Sequence, residues 1–205
     1  NEYRAAYEAM GLGAGGPEAP VQVRVHPNNP DGRVWPDLPQ ATLAVIDESF
    51  CDVMPEASHV GRAGAPGLVI LKSFGKFWGM AGLRLGFAIG GASLLGLDEH
   101  LGPWPVSGPA LAIGTAALRD RDWAAATRAR LAADAMRLDR LMLARGAEVA
   151  GGTTLFRLYR VGDALAWQDR LARGQVWSRV FPGTPGWLRL GLPAPDRWPQ
   201  LEAAL

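Results

Sequence analysis

The sequence predicts an α/β fold with a smaller α+β unit toward its C-terminal end. Three observations lead there. Leu43–Ile46 and Leu68–Leu71 are continuous apolar runs, the pattern of strands buried on both faces of a parallel sheet. Each run ends in polar residues, Asp47-Glu48 and Lys72-Ser73. Asp122–Arg145 reads as one long amphipathic helix, with Trp123, Leu131, Ala135, Leu138 and Met142 on its apolar stripe, and short alternating segments follow it.

The elements can be taken in order. Asn1–Met10 has the spacing of a helix with Tyr3, Tyr7 and Met10 on one face, and Gly11–Pro20 is a breaker-rich loop. Val21–Val25 alternates as a strand, and Pro27–Gly32 is a rigid loop with two prolines. A further strand is expected over Leu85–Ile89, a Pro/Trp loop over Leu101–Gly108 and a small-residue helix over Pro109–Arg119. Gly146 is placed to cap the long helix. A strand (Thr153–Tyr159), a helix (Ala164–Ala172), two strands (Val176–Phe181 and Trp187–Leu192) and a helix from Asp196 complete the reading. The expected division is a larger domain over residues 1–118 and a smaller one over 119–205. Parallel neighbours normally need a crossover of about a dozen residues or more, usually helical. Val34–Thr42, with Pro36 and Pro39 inside it, has no room for a good helix. That shortage, and an opening inside a helix with no leading strand, create the expectation that an N-terminal part of the fold is absent.

Composition narrows the function classes. In 205 residues, 21 basic side chains oppose 20 acidic ones, so net charge makes no case for nucleic acid. No apolar run reaches the roughly 18 residues that span a bilayer, and the polar start does not read as a signal peptide. A cytoplasmic location is the default. One cysteine, Cys51, excludes an internal disulfide and a paired-cysteine zinc site; a buried structural thiol is its expected state. His26, His59 and His100 are too scattered for metal-ligand spacing, so no metal is expected and surface or capping positions are. Gly11–Gly16 fits G-x-G-x-x-G by letter, but it follows a helix and runs into Pro17, the wrong context for a nucleotide loop. Only two of the 21 basic residues are lysines, Lys72 and Lys76. Where arginine is the rule, a retained lysine points to an amine that must lose its proton.

The segment Ser73-Phe74-Gly75-Lys76-Phe77-Trp78-Gly79-Met80-Ala81-Gly82-Leu83-Arg84-Leu85-Gly86 places a hydroxyl, an amine and a guanidinium just past a strand end. An amine in apolar, aromatic surroundings is a usable nucleophile. A hydroxyl with an arginine fork is a phosphate grip.

This segment resembles the cofactor-lysine signature of fold-type I pyridoxal-phosphate (PLP) enzymes, the aspartate-aminotransferase superfamily. Two more motifs occur in the family's order: His26-Pro27-Asn28-Asn29-Pro30-Asp31-Gly32 resembles its Asn-Pro-x-Gly loop, and Val45-Ile46-Asp47-Glu48-Ser49-Phe50 its Asp-x-Ala-Tyr strand end. Trp187–Gly191 is similar to the late strand that presents a substrate-carboxylate arginine. The resemblance implies a mostly parallel central sheet with helices on both faces, a small C-terminal α+β domain and a homodimer. It also implies roles. Lys76 would bind pyridoxal 5′-phosphate covalently and move protons. Asp47 would pair with its ring nitrogen and Asn29 with its phenolic oxygen. Ser73 and Arg84 would hold its phosphate. Arg189 would clamp the substrate carboxylate. Phe50 departs from the pattern, standing where many relatives carry a tyrosine. Lys72 acquires no role, and Lys72→Arg is expected to be tolerated.

Within the superfamily, Leu101–Ala110 with its Pro-Trp-Pro-Val-Ser core, the Asp-Glu-Ser-Phe strand end and Gly151–Arg157 most resemble the threonine-phosphate decarboxylase branch of cobalamin biosynthesis. That resemblance implies a small phosphorylated amino-acid substrate; Arg157 is a candidate contact to its phosphate, with a surface or domain-interface arginine as the alternative. The same residues would serve an amino-acid aminotransferase of the histidinol-phosphate type. A truncated, non-catalytic interaction module is the third alternative.

Overall fold

The structure is a computed structural model and describes residues 2–205. The chain divides into two compact units. One contains the chain up to His26 together with Val34–Gly114; the other contains Pro27–Arg33 and Thr115–Leu205. The division therefore falls inside a helix, a little before the expected 118/119 boundary, and the Pro27–Arg33 loop packs with the second unit.

The first unit is built on a four-stranded sheet in the order β1 (Val21–Val25), β2 (Leu43–Asp47), β3 (Leu68–Ser73), β4 (Gly86–Gly90). β1, β2 and β3 are parallel, and β4 is antiparallel to β3. α1 (Glu2–Ala9) precedes the sheet, and α2 (Leu97–Leu101) and α3 (Gly108–Arg119) follow it. Successive strand residues point to opposite faces. Ala44, Ile46, Leu68 and Ile70 share one face and form the buried core with Ala63, against which Leu38 and Ile89 pack.

No helix joins the parallel strands β1 and β2. The returning chain is instead pinned by Trp35: its backbone N–H donates to His26 Nδ1 at 3.0 Å and its indole N–H to the Val25 carbonyl at 3.1 Å. The Arg24 guanidinium lies 4.9 Å from the Trp35 ring. Gly11–Gly16 is a loop after a helix, with no strand leading into it.

The second unit carries an antiparallel sheet in the order β5 (Glu148–Gly152), β6 (Phe156–Arg160), β8 (Trp187–Gly191), β7 (Arg179–Val180). α4 (Arg121–Leu143), α5 (Ala164–Arg173) and α6 (Trp198–Ala204) cover one face of it. Their Leu138, Met142, Leu171, Trp198 and Leu201 pack with Tyr159, Leu188 and Leu190 from the sheet. Asp120 caps α4 through the Trp123 N–H, and Asp163 caps α5 through two N–H groups. α4 buries Ala124, Thr127, Leu131, Ala135, Leu138 and Met142. Trp123, expected on that stripe, lies one position off its period and is 43% exposed.

Among the described residues, no helix is long and apolar enough to cross a membrane.

Candidate active site

Asp47 and Ser73 end adjacent parallel strands. The Asp47↔Leu71 register puts Asp47 on the face shared by Leu71 and Ser73. Glu48 and Lys72, one residue further along each strand's alternation, turn to the core face. This parity separates two acids and two polar groups that are neighbours in sequence.

On the open face, Asp47 is half-buried and held by three donors. Its Oδ1 accepts from the Ser49 N–H at 2.9 Å and the Ser49 hydroxyl at 2.5 Å, and its Oδ2 accepts from the Tyr3 hydroxyl at 2.6 Å. Ser73 Oγ accepts from the Gly75 N–H at 3.1 Å, which leaves the hydroxyl hydrogen available to donate.

The following turn is anchored by two buried rings, Phe74 and Phe77, both packed against Trp78. Backbone bonds from Gly79 to Lys76 and from Met80 to Phe74 close it. Lys76 stands exposed on this turn, its Nζ 5.5 Å from the Phe50 ring centroid. Arg84 is exposed too. Its backbone is left-handed, with φ 51°, a conformation that β-carbon-bearing residues rarely adopt. Such outliers cluster at binding sites.

On the core face, the Glu48 carboxylate is fully buried. It accepts from the Ser58 hydroxyl and the His59 N–H, both at 2.6 Å, and lies 3.4 Å from Lys72 Nζ. Lys72 also reaches Asp52 at 2.7 Å. Burial pulls its pKa down, but the charge and hydrogen bond of Asp52, with Glu48 behind them, outweigh burial and raise it. Lys72 therefore has a role that sequence reasoning missed: it is the counter-ion of a buried acid.

His26 and His59 are buried rather than superficial, with ring centroids 4.6 Å apart. His26 Nδ1 accepts from Trp35 and its Nε2 faces the Ala57 carbonyl at 2.8 Å, which fixes a neutral tautomer. Burial, partly offset by that carbonyl, lowers its pKa. Cys51 is fully buried, and burial, then Glu48, push its thiol up to about 12. His26, Glu48 and Cys51 lie together, but both His26 nitrogens and both Glu48 oxygens are engaged within the protein.

In the second unit, Asn29 lies on the Pro27–Arg33 loop. That loop docks backbone to backbone on the end of β5. The Gly152 N–H donates to the Asp31 carbonyl at 2.8 Å, and a β-carbon on Gly32 or Gly151 would overlap Gly152 O or Asp31 O. Arg189 on β8 donates to Asn29 Oδ1, and its guanidinium lies 5.5 Å from the Phe156 ring.

Arg179, unremarked in the sequence, pairs directly with Arg189 across β7 and β8 and shares its face. Burial and then the Arg179 charge lower the Arg189 pKa. Like charges placed opposite each other are unfavourable unless an anion joins them. Only the tertiary register reveals this pair.

Arg157 behaves differently. It pairs with Leu190, one step from Arg189, and so projects from the opposite face of the sheet. There its Nε and Nη2 fork onto Asp139 at 2.9 and 2.8 Å, and the Tyr159 hydroxyl joins at 2.7 Å.

A model of the aminotransferase class I and II family matches residues 23–198. The chain belongs to that family. Pyridoxal 5′-phosphate is the family's cofactor. Over 199 residues the chain is 43% identical to a threonine-phosphate decarboxylase from Pseudomonas aeruginosa, covering 90% of this chain and 59% of that protein. It is 39% identical over 186 residues to one from Sinorhizobium, covering 84% of this chain and 54% of that protein. Histidinol-phosphate aminotransferase from Sinorhizobium meliloti, solved in complex with pyridoxal-5′-phosphate, superposes with a TM-score of 0.78 at 20% identity, over 98% of this chain and 59% of that one. That likeness establishes the fold. The chain spans less than two thirds of the length of these relatives.

Proposed function

We propose that the protein containing this chain is a PLP-dependent decarboxylase that converts L-threonine O-3-phosphate to (R)-1-amino-2-propanol phosphate and CO2, in cobalamin biosynthesis. The observation that carries the substrate assignment is the 43% identity to a threonine-phosphate decarboxylase over most of the chain. A cytoplasmic homodimer is part of the same reading and rests on family likeness.

The residues of the first unit fit the cofactor. An ionised carboxylate offers about four acceptor positions; three on Asp47 are taken by Ser49 N, Ser49 Oγ and Tyr3 Oη. One remains for a protonated ring nitrogen. Ser73 and Arg84 supply a hydroxyl and a guanidinium to the cofactor phosphate. Lys76 supplies the amine that binds it covalently, on a turn fixed by Phe74 and Phe77. When bound, the cofactor supplies a protonated ring that accepts the electrons of the bond broken at Cα.

The protein's own residues do the rest. Asp47 keeps the ring nitrogen protonated, because an adjacent carboxylate favours the charged form of a partner cation. Arg189 engages Asn29 Oδ1, so the Asn29 amide N–H groups are the ones left to donate to a ring oxygen. Arg189 orients the substrate carboxylate, and Arg179 beside it adds a second positive charge for a doubly anionic substrate. The orientation in which Arg189 would hold the substrate would decide which bond at Cα is broken. For decarboxylation that would be the bond to the carboxylate, which would leave as CO2, with Lys76 the group to return a proton to Cα. Arg157 commits Nε and one Nη2 hydrogen to Asp139, and Arg179, which shares the face of Arg189, is a second candidate for the substrate phosphate.

Incubation with L-threonine O-3-phosphate tests the reading. Stoichiometric CO2 release without a 2-oxo acid is expected. Glutamate formation dependent on 2-oxoglutarate, without CO2, would replace the decarboxylase with an aminotransferase.

A further inference from the structure

Tyr3 lies on α1, 44 residues before Asp47, yet its hydroxyl donates to Asp47 Oδ2 at 2.6 Å. The other oxygen is held from within the strand end by Ser49, through its N–H and its hydroxyl. The two oxygens are thus pinned from opposite directions, one locally and one from a separate helix. A carboxylate held only at Oδ1 can still swing about its terminal torsion, which is broad for aspartate. A second donor on Oδ2 removes that freedom and fixes where the last open lone pair points. Among the described residues of α1, Tyr3 and Tyr7 are half-buried and the rest exposed, while Met10, the third residue of the expected stripe, lies just past the helix and is 73% exposed. The polar tip of Tyr3 meets the one acid on the open face of the parallel strand ends.

We propose that Tyr3 is a positioning residue for the cofactor: it orients Asp47 so that the free acceptor faces the ring nitrogen of PLP. This deepens the proposed function and rests on Asp47 being the ring-nitrogen partner. Tyr3 touches Asp47 and acts through it. Ser49 is the other half of the same clamp.

The test uses the intact protein loaded with PLP carrying 15N in the ring. Tyr3→Phe removes the hydroxyl and keeps the ring, and Tyr7→Phe, one helical turn away, is the control. The expected result is a Tyr3→Phe holoenzyme whose 15N resonance moves toward the unprotonated-pyridine position, with PLP binding about tenfold weaker, the scale of one hydrogen bond to a charged group. Ser49→Ala should move both readouts in the same direction, and Tyr7→Phe neither.

A Tyr3→Phe protein with the wild-type 15N position and wild-type PLP affinity overturns the proposal, whether or not its unfolding midpoint falls, because the bond would then only dock α1. Equal effects from Tyr3→Phe and Tyr7→Phe overturn it too. Failure of the wild-type protein to bind PLP at all is a different result: it removes the functional reading first, and this proposal with it.

Discussion

Asp47 and Glu48 are neighbours in sequence and opposite in fate, and so are Ser73 and Lys72. Strand alternation sends Asp47 and Ser73 to the open face and Glu48 and Lys72 to the core. The sequence showed a polar pair at the end of each run, but which member faced which way depended on the register between strands. Lys72, expected to have no role, is therefore the partner of Glu48 and Asp52. Lys72→Met leaves Glu48 buried without its cation and should cost about 3 kcal/mol in urea unfolding, the scale for one orphaned partner of a buried pair. Lys72→Arg keeps the charge but forces a planar fork where a compact ammonium lies 2.7 Å from Asp52. It should cost about 1–2 kcal/mol, and a cost-free Lys72→Arg would contradict this account of the pair. His26 gives a pH prediction. Burial depresses its folded pKa below the reference 6.5, so as pH falls the unfolded chain takes up the proton first. The stability His26 contributes is complete above 6.5 and is lost below it, toward the folded pKa. A proton NMR titration of His26 should give a midpoint below 6.5.

Most elements were legible because their signals are local. The runs behind β2 and β3, the alternation of β1 and the period of α4 all produced the expected structure. β5 was missed: Glu148–Gly152 ends in two glycines, which weaken a strand signal, and its pairing with β6 is shifted between Val149 and Gly151. β7 shrank to Arg179–Val180 from the expected Val176–Phe181. The glycines of β5 have a purpose visible only in three dimensions, since they let the Asn29 loop approach backbone to backbone. Gly151 has φ 153°, and its β-carbon would stand 2.2 Å from the Asp31 carbonyl. Gly151→Ala should therefore cost more than about 1 kcal/mol and expose Pro27–Arg33 to limited proteolysis. Unchanged protection of the loop would show that the close approach is unimportant.

At the scale of the molecule, the motif residues fall in two groups. Lys76, Asp47, Ser73 and Arg84 belong to the first unit, and Asn29 and Arg189 to the second, where Arg179 joins them. The Pro27–Arg33 loop is carried by the second unit even though it interrupts the first in sequence. A single pass along the chain could not assign it, because loop residues carry no packing pattern. The family motifs made the candidate cofactor residues legible, whereas Tyr3, Ser49 and Arg179 needed coordinates. The central claim is that one lysine of the two binds PLP. Borohydride reduction of the PLP-loaded protein, followed by peptide mass analysis, tests it most directly. The account predicts a phosphopyridoxyl label on Lys76 and none on Lys72, lost in Lys76→Arg. A label on Lys72, or no label at all, would contradict it.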